Sequence, residues 1–393
     1  MAEELAYAMI TPYSLLKSRT GGIISRLLIA DLNLVAARMV APSDEFVDAY
    51  KDLLKRQEIS EPVKQALLDY CDNFLRPNNR MGISNRVMLL LFKGENAIRV
   101  LKDDAVGPIT REPRGDTVRG TFGDFVLERD GRVHYFEPAC FVCTDPGKMD
   151  DHLRLLAEFA DRDGGIVTHA VKLPPATKTE TTLVILKPDN FRRGSARPGN
   201  IVDMFAKTGL FIVGAKVLHL SVAQAEEFYA PLRKIFVERL KDNVARKAAE
   251  LLSQGFEFPI PDEAVEKLGE VLKVHNAEQE FNRIVEYMTG RNPARLSSPG
   301  ERHLPGKEKC LALLYHGEDA IAKIRERLGT TNPREARAGS VRSVYGEDLM
   351  RNAAHASDSV ESAERERKVV GLWEDKPPSD VRQIIEEYLA SRG

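Results

Sequence analysis

The sequence predicts an α+β protein in which a ferredoxin-like βαββαβ antiparallel sheet, covered by helices, is present twice, with a helical insertion in the second copy. The first observation behind this prediction is an internal repeat. LFKGENAI at 91–98 matches LYHGEDAI at 314–321, and REPRGDTVRGTFG at 111–123 matches REARAGSVRSVYG at 334–346, both at a spacing of 223 residues. The second observation is that strand-like and helix-like segments alternate in the second copy in the order that this fold requires.

A third matching block indicates where the second copy is longer. AYAMITPYS, beginning at Ala6, resembles TLVILKPDN, beginning at Thr182, at a spacing of only 176 residues. The extra sequence is placed in a charged, largely helical segment near 233–278 and in a Pro/Gly-rich loop near 291–307. Between the copies, DRDGGIVTHAVKLPPATKTE has paired glycines, paired prolines and no clear periodicity, as a linker does. The predicted divisions are a first domain at 1–165, a linker at 166–180 and a second domain at 181–393.

Local patterns predict the elements of the second copy. TTLVILK at 181–187 is an apolar, β-rich run that ends at Pro188, which favours a strand. Ser221 and Gln224 have the spacing of a capping box, which predicts a helix through Phe228. The other predicted elements are a helix from about Gly199 to Lys207 with Gly209 as its cap, strands at 210–220 and 309–317, a helix at 317–329 and a last short strand, RKVVGLW, at 367–373.

Composition narrows the class of protein. The 393 residues are 43% hydrophobic and 30% charged, with 57 basic and 59 acidic side chains and a net charge of -2. This balance argues against a general nucleic-acid binder, which normally has a basic excess. No apolar run approaches the roughly 20 residues that span a bilayer, and the N-terminus lacks a secretory pattern. We expect a reduced, cytoplasmic protein that binds neither nucleic acid nor membrane.

Two of the four cysteines leave an alternative open. Cys140 and Cys143 form C-F-V-C, with His134 upstream and His152 downstream, and these residue types occur in zinc and redox sites. A second cysteine pair at suitable spacing is missing, and FEPACFVCTD also fits an apolar strand that contains thiols. The strand is the favoured interpretation.

Several motifs of the second copy resemble the nucleoside diphosphate kinase family. The most specific is NAAHASDSVESAERE at 352–366, which is close to the histidine signature of that family. TLVILKPD at 182–189, LGTTNP at 328–333 and GSVR at 339–342 match further motifs in the same order. The resemblance implies transfer of the γ-phosphoryl group from ATP to a nucleoside diphosphate, through a phosphohistidine and with Mg²⁺. It also implies a ping-pong cycle and low selectivity for the base.

The resemblance assigns a role to individual residues, and their chemistry suits those roles. It implies that His355 is phosphorylated; neutral imidazole is a competent nucleophile near pH 7. Arginine and lysine side chains suit the binding of phosphate oxygens. No protein metal ligand is predicted, because the nucleotide phosphates would hold most of the Mg²⁺. The implied supporting residues are Ser357 and Glu366, and the implied nucleotide-binding residues are Lys187, Tyr229, Phe281, Arg325, Thr331, Arg342 and Asn352.

The second copy departs from the family pattern in the neighbourhood of the histidine and of the base. Ala356 stands where the family usually has glycine, and glycine permits the closest backbone approach. Glu280-Phe281 stands where the family has paired aromatic residues, and the insertion follows Tyr229. These differences bear on base binding more than on phosphate chemistry.

The first copy departs further, and we predict that it is catalytically dead, retains some anion binding and pairs with the second copy as subunits of the family pair. A trimer of such chains would imitate a hexamer. Two alternative functions remain: a catalytically impaired nucleotide-binding or assembly protein, and histidine phosphotransfer to a protein acceptor. The predicted correspondences between the copies are Thr11 with Lys187, Lys102 with Arg325, Arg119 with Arg342 and, from the spacing of 223, Arg132 with His355.

Overall fold

The computed structural model describes residues 3–110, 114–174 and 177–392. The first three residues of the repeat block at 111–123 and two residues of the predicted linker lie outside the described residues. The chain forms two compact units. The main unit comprises Met1–Val217 and Cys310–Gly393, and the helical unit comprises Leu218–Lys309.

The first copy is built on a five-stranded sheet in the order β6-β1-β3-β2-β7, whose strand pairs are antiparallel. Its two central strands are apolar and buried along almost their whole length, as expected of strands covered on both faces. A separate hairpin, β4-β5, precedes the fourth strand of the repeat. The strands are β1 (Glu3–Ile10), β2 (Asn33–Val40), β3 (Val87–Glu95), β4 (Asp124–Leu127), β5 (Val133–Glu137), β6 (Cys140–Phe141) and β7 (Gly164–Gly165).

The helices of the first copy follow its strands and pack their apolar faces on the sheet. Ser43 caps one of them by accepting a hydrogen bond from the Phe46 amide. The helices are α1 (Pro12–Leu16), α2 (Thr20–Ile29), α3 (Asp44–Lys55), α4 (Glu61–Tyr70), α5 (Ala97–Arg99), α6 (Val118–Phe122) and α7 (Met149–Arg162).

The second copy has a four-stranded sheet in the order β11-β8-β10-β9. Both sheets thus place the repeat's strands in the order fourth, first, third, second, and the predicted βαββαβ fold, present twice, is confirmed. The strands are β8 (Glu180–Leu186), β9 (Phe211–Leu218), β10 (Cys310–Gly317) and β11 (Ala354–Ala356), and the helices are α8 (Arg197–Ala206), α9 (Val222–Arg239), α10 (Lys241–Phe256), α11 (Asp262–Thr289), α12 (Ala320–Leu328), α13 (Val341–Tyr345), α14 (Val360–Val369) and α15 (Asp380–Ala390).

The predicted last strand at 367–373 is wrong. Helix α14 covers 360–369, and its start is fixed by Ser359, whose side chain accepts a hydrogen bond from the Ser362 amide. The fourth strand is instead β11, which has only three residues and lies among small and polar side chains. A strand of three residues is too short to show alternating hydrophobicity. The apolar run VVGLW resembles a strand in sequence, but in the structure it contains the end of helix α14.

The insertion in the second copy consists of α10 and most of the two flanking helices in the helical unit. The predicted capping box is present at the start of α9, where Ser221 accepts from the Gln224 amide and Gln224 accepts from the Ser221 amide. Helices α10 and α11 approach closely at small residues, since a β-carbon on Gly269 would lie 3.2 Å from that of Ala245. Within residues 3–110, 114–174 and 177–392, no helix has both the length and the apolar character needed to cross a membrane.

The two copies meet through equivalent helices, α2 and α8, each of which follows the first strand of its copy. Gly21 and Gly199 face each other so closely that a β-carbon on either would lie within 2.3 Å of the other's carbonyl oxygen. The Ser25 hydroxyl donates to the Ala196 carbonyl oxygen at 3.0 Å, and the Gly22 amide donates to the Asp203 carboxylate at 3.1 Å. Only glycine fits where the two helices cross, so the close packing of α2 on α8 depends on Gly21 and Gly199.

The C-terminal segment adds a second connection between the copies. Helix α15 packs on α7 and on strand β2 of the first copy. The Asp375 carboxylate accepts from the Ile166 amide at 2.9 Å, and the Ser379 amide donates to Asp161 at 2.9 Å. The end of the second copy is therefore anchored on the first.

Candidate active site

His355 lies on the edge strand β11, directly beside the end of β8. It pairs with Ile185, so Lys187, two residues later, emerges at the same end of the sheet. The Lys187 amide donates to the Ala353 carbonyl oxygen at 3.0 Å, which joins the two segments just before the histidine. Ala353 is buried and has a left-handed backbone, with φ of 70°. The sheet thus sets the position of the histidine relative to the lysine.

A carboxylate holds the His355 ring. Glu366 is buried, and its Oε2 lies 2.8 Å from His355 Nε2 and accepts from the Ser357 hydroxyl at 2.7 Å. Arg365 donates to the other oxygen at 3.3 Å. A carboxylate partner assigns the proton of the neutral ring to Nε2, which leaves the lone pair on Nδ1. The His355 side chain keeps 21% of its surface exposed, so it remains accessible.

Lys187 is a buried cation beside the histidine strand. Its ammonium donates to the Met350 carbonyl oxygen at 3.0 Å and to Asn352 Oδ1 at 2.7 Å. Burial, and to a smaller extent the positive charge of Arg342, lower the pKa of Lys187 to about 8. Asn352 in turn donates to the Thr331 carbonyl oxygen at 3.1 Å. The Met350 carbonyl oxygen and the Asn352 side chain therefore hold the lysine in place.

Arg342 connects two loops to the histidine strand. It lies in α13, donates to the Gly329 carbonyl oxygen at 3.0 Å and donates to the Ala354 carbonyl oxygen at 3.2 Å. The second contact is to the residue immediately before His355. The planar fork of a guanidinium suits phosphate oxygens.

Arg325 and Thr331 lie on the exposed side of the same region. Arg325 projects from α12 and is exposed, as is Thr331 in the turn that follows the helix. The pKa of Asp358 is lowered, first by a hydrogen bond with Ser362 and then by the positive charge of Arg325 and by His355. The main unit therefore gathers eight of the predicted residues around β11: Lys187, Arg325, Thr331, Arg342, Asn352, His355, Ser357 and Glu366.

The other two predicted residues belong to the helical unit. Tyr229 is buried in α9 beside Phe228, at a ring-centroid distance of 5.0 Å. Phe281 is fully buried in α11, and the Arg233 guanidinium lies 4.1 Å from its ring centroid. Stacking of Phe281 on a base would require Arg233 to leave that ring face. Base binding by these two residues remains a prediction.

Two residues that sequence reasoning did not assign hold the loops of the site. Asn190 is buried and donates to the carbonyl oxygens of Lys187 at 2.9 Å and Ala353 at 2.6 Å. Arg197 donates to the Asp189 carboxylate at 2.7 Å and to the Tyr345 carbonyl oxygen at 2.6 Å. Asn190 directly follows the matched TLVILKPD segment, which was the available signal. No sequence signal identifies Arg197, because it lies in an arginine-rich segment where a solvent-exposed arginine is expected.

Comparison with known proteins identifies the family of this chain. A family model described as nucleoside diphosphate kinase matches residues 180–249 and 262–371. A nucleoside diphosphate kinase of Chlamydia muridarum (strain MoPn / Nigg) is 32% identical over 184 residues, covering 47% of this chain and 86% of that protein. The chain belongs to the nucleoside diphosphate kinase family.

Further members of the nucleoside diphosphate kinase family show the same coverage. The enzyme of that name from Campylobacter fetus subsp. fetus (strain 82-40) is 30% identical over 187 residues, covering 48% of this chain and 91% of that protein. The crystal structure of the Aquifex aeolicus nucleoside diphosphate kinase is 27% identical and covers 49% of this chain and 95% of that chain, with a TM-score of 0.31. Both segments that the family model matches lie in the second copy.

The backbone at the end of the first strand is the same in both copies. The Thr11 amide donates to the Ala139 carbonyl oxygen at 3.1 Å, as the Lys187 amide does to that of Ala353. Ala139 also has a left-handed backbone, with φ of 58°. These matches align Thr11 with Lys187, and they give a structural register for the rest of the site.

Strand pairing assigns Phe141 to the position of His355. Met9 of β1 pairs with Phe141, and its counterpart in the repeat, Ile185 of β8, pairs with His355. The predicted correspondence of Arg132 with His355 is therefore wrong. The first copy has nine more residues between Arg119 and its fourth strand than the second copy has between Arg342 and β11, because the β4-β5 hairpin falls within this segment. Arg132 lies between β4 and β5, on the surface.

The same register places His152 of α7 opposite Glu366 of α14. His152 is fully buried; its Nδ1 lies 2.9 Å from the Tyr7 hydroxyl and its Nε2 lies 2.6 Å from Gln57 Nε2. Burial lowers the pKa of His152 to about 4, so it is neutral at physiological pH. A core hydrogen-bond network thus replaces the pair of histidine and glutamate that the second copy has.

Arg119 keeps the position of Arg342. It donates to the carbonyl oxygens of Gly107 at 2.6 Å and Cys140 at 3.0 Å, the positions equivalent to those that Arg342 contacts. Arg119 is buried, and burial lowers its pKa to about 10. The retained arginine therefore bridges loops in the first copy.

The described residues contain no group of three or more His, Cys, Asp or Glu side chains placed to hold a metal ion. The Cys143 thiol donates to the Asp145 carbonyl oxygen, and Cys140 is buried in β6. His134 is exposed and lies 3.4 Å from Glu128. That the phosphates of a nucleotide would carry a magnesium ion stays a prediction.

The alanine after the histidine does not face the reacting side of the ring. Successive residues of a strand point to opposite faces, so the Ala356 methyl group points away from the side that His355 occupies. We expect Ala356→Gly to change phosphotransfer rates by less than about twofold, because the methyl does not approach a substrate, and to lower stability by about 0.5–1 kcal/mol. Steady-state kinetics and thermal unfolding check this; a tenfold faster Ala356→Gly variant would show that the methyl obstructs the reaction.

Proposed function

We propose that this chain is a nucleoside diphosphate kinase with one working site, located in the second copy. The proposal rests on family membership and on one decisive observation. His355 donates through Nε2 to the buried Glu366 at 2.8 Å, on a strand that also contacts Lys187 and Arg342. An oriented neutral imidazole next to two cations is the arrangement that covalent phosphoryl transfer needs.

In the first half-reaction the Nδ1 lone pair of His355 attacks the γ-phosphorus of ATP. The Nδ1–P bond forms, the bond from phosphorus to the β,γ-bridging oxygen breaks, and ADP leaves with that electron pair. The Nε2 proton stays on the ring, hydrogen-bonded to Glu366, which stabilises the positive charge that develops on the imidazole. In the second half-reaction a terminal oxygen of another nucleoside diphosphate attacks the phosphorus and restores His355.

The cations around the histidine would bind the phosphates and neutralise charge in the transition state. Lys187 would supply an ammonium from the end of β8, Arg342 would offer a planar fork, and Arg325 would reach in from the exposed side. Thr331 and Asn352 would contact phosphate or sugar oxygens. Base binding by Tyr229 and Phe281 is part of the proposal.

The remaining organisation is part of the same proposal. Domains at 1–165 and 181–393 would be joined by a linker at 166–180, and the protein would act in the cytoplasm. Because α2 and α8 pair within one chain, a trimer would present six copies. Sedimentation that finds only monomers would remove the trimer.

Labelled phosphate tests the proposed function. The protein is mixed with γ-labelled ATP and magnesium, and acid-labile, base-stable label is expected on the protein. A chase with a nucleoside diphosphate should then move the label to the nucleotide. Label that does not transfer to any diphosphate would favour a protein acceptor. Nucleotide binding without labelling would favour an impaired binding or assembly protein.

The pKa of Lys187 predicts a proton linked to nucleotide binding. With a pKa of about 8, the lysine is half-protonated at pH 8 in the unliganded protein. A bound phosphate favours the charged form, so Lys187 should take up about 0.5 proton when ADP binds at pH 8 and almost none at pH 6.5. Affinity should fall as the pH rises above about 8.

Calorimetry in two buffers of different ionisation enthalpy measures this uptake directly. Lys187→Arg is the matched control, because arginine stays protonated throughout this range. The uptake at pH 8 should vanish in that variant. Equal uptake in both proteins would assign the proton to another group.

A further inference from the structure

The first copy contains a buried carboxylate at the end of its first strand. Glu137, the last residue of β5, has 2% of its surface exposed. Its Oε1 accepts from the Thr11 hydroxyl at 2.8 Å and from the Ala139 amide at 2.8 Å, and its Oε2 accepts from the Tyr70 hydroxyl at 2.8 Å. Three donors from three separate segments therefore converge on one anionic group.

This carboxylate lies where the second copy has its buried ammonium. Thr11 corresponds to Lys187, since both amides donate to the alanine with the left-handed backbone. In the second copy the lysine side chain runs toward the loop before β11 and donates to that loop. In the first copy the shorter threonine leaves this space, and Glu137, at the end of β5 and shortly before β6, enters it. The two copies thus have opposite charges at the same place in the fold.

We propose that Glu137 is an internal occupant of the anion site of the first copy, so that nucleoside phosphates bind only to the second copy. The site is still built for an anion, but the chain supplies that anion itself. A phosphate would have to displace a hydrogen-bonded carboxylate and would be repelled by it. The proposal rests on the proposed function for the identity of the ligand in the second copy, and it replaces the expectation of residual anion binding in the first.

The contacts of Glu137 indicate that its carboxylate fills the proposed anion site of the first copy. Burial raises the pKa of Glu137, while the bonds from Tyr70, Thr11 and the Ala139 amide, and the charge of Arg19, lower it. Burial of a carboxylate without partners is strongly unfavourable, so the three donors are what make the position tolerable. Removal of the carboxylate alone should leave those donors pointing into a small cavity that a free carboxylate can enter.

Chemical complementation of Glu137→Ala tests this inference at pH 8. The variant should unfold about 5 °C below the wild type, because three buried donors lose their acceptor. Sodium acetate or formate, compared with sodium chloride at equal ionic strength, should restore most of that loss with saturable dependence. Wild type and Glu137→Gln, which fill the site, should show no such response. The absence of an acetate-specific effect on folded Glu137→Ala overturns the proposal.

The number of bound nucleotides provides a second test that does not need the alanine variant to fold. Calorimetric titration of the wild type with ADP should give one site per chain, lost in Lys187→Met. Two sites per chain would overturn the proposal. If the wild type bound no ADP at all, the proposed kinase function would fail, while the acetate experiment would still decide whether Glu137 fills an anion site.

Discussion

Replacement of His355 by alanine is expected to lower nucleoside diphosphate kinase activity by about 10⁴-fold or more, because no other group can carry the phosphate between the two half-reactions. The structure gives a physical reason to expect so large an effect. Glu366 and Ser357 support this one ring, and the described residues place no second histidine within that hydrogen-bond network. Steady-state exchange between ATP and a second diphosphate measures the loss.

His355→Gln is the matched variant for folding. Its amide can still donate to Glu366, so the buried carboxylate keeps a partner, but it cannot form a stable phosphoryl adduct. Both variants should bind ADP with affinity within about threefold of the wild type if the histidine contributes chemistry more than binding. Residual turnover above about 1% of the wild-type rate in both would assign the phosphate carrier to another residue.

The second large effect is expected when Arg342 is replaced; its equivalent in the first copy, Arg119, provides the control. Arg342→Lys keeps the positive charge but loses the fork that holds the Gly329 and Ala354 carbonyl oxygens and that, in the proposed reaction, would face the phosphates. We expect kcat/KM to fall by about 10²-fold, since one preorganised transition-state donor is typically worth that much. The loss should appear mainly in kcat if the guanidinium acts on the transition state.

Arg119→Lys is the control that the repeat supplies. Arg119 makes the same loop contacts in the first copy, so its replacement should cost stability, by about 2–4 kcal/mol, because buried carbonyl groups lose their donors. Its kinase activity should stay within about twofold of the wild type. Equal losses of activity in the two variants would show that Arg342 acts only through the fold, or that the first copy also turns over.

The repeat and its strong motifs were predictable because they depend on local residue patterns. The β-rich run before Pro188, the capping box at Ser221 and the histidine signature each carry their information within a few residues. From these, the fold class and the residues gathered around β11 followed. The wrong correspondence of Arg132 with His355 came from the alignment of the two copies over a longer distance. There, the inserted β4-β5 hairpin shifts the alignment of every later residue.

Phe141 illustrates why sequence alone does not align the fourth strand of the first copy with that of the second. A phenylalanine and a histidine share no sequence signal, and only the pairing of β6 with β1 identifies them as equivalent. Glu137 was equally hidden, because a glutamate at the end of a strand looks like an ordinary surface charge. Its significance depends on Tyr70 and Thr11, which are distant in sequence and meet it only in the folded chain.

The close crossing of Gly21 and Gly199 also has an evolutionary consequence. Two separate subunits that meet through such a contact come apart on dilution, whereas two halves of one chain stay at an effective concentration of about millimolar or above. A fused partner is therefore never lost, and it need not be an enzyme to remain useful. Gene fusion would free one half to exchange catalytic side chains for core packing, provided that its glycine and its helix continued to fit the other half.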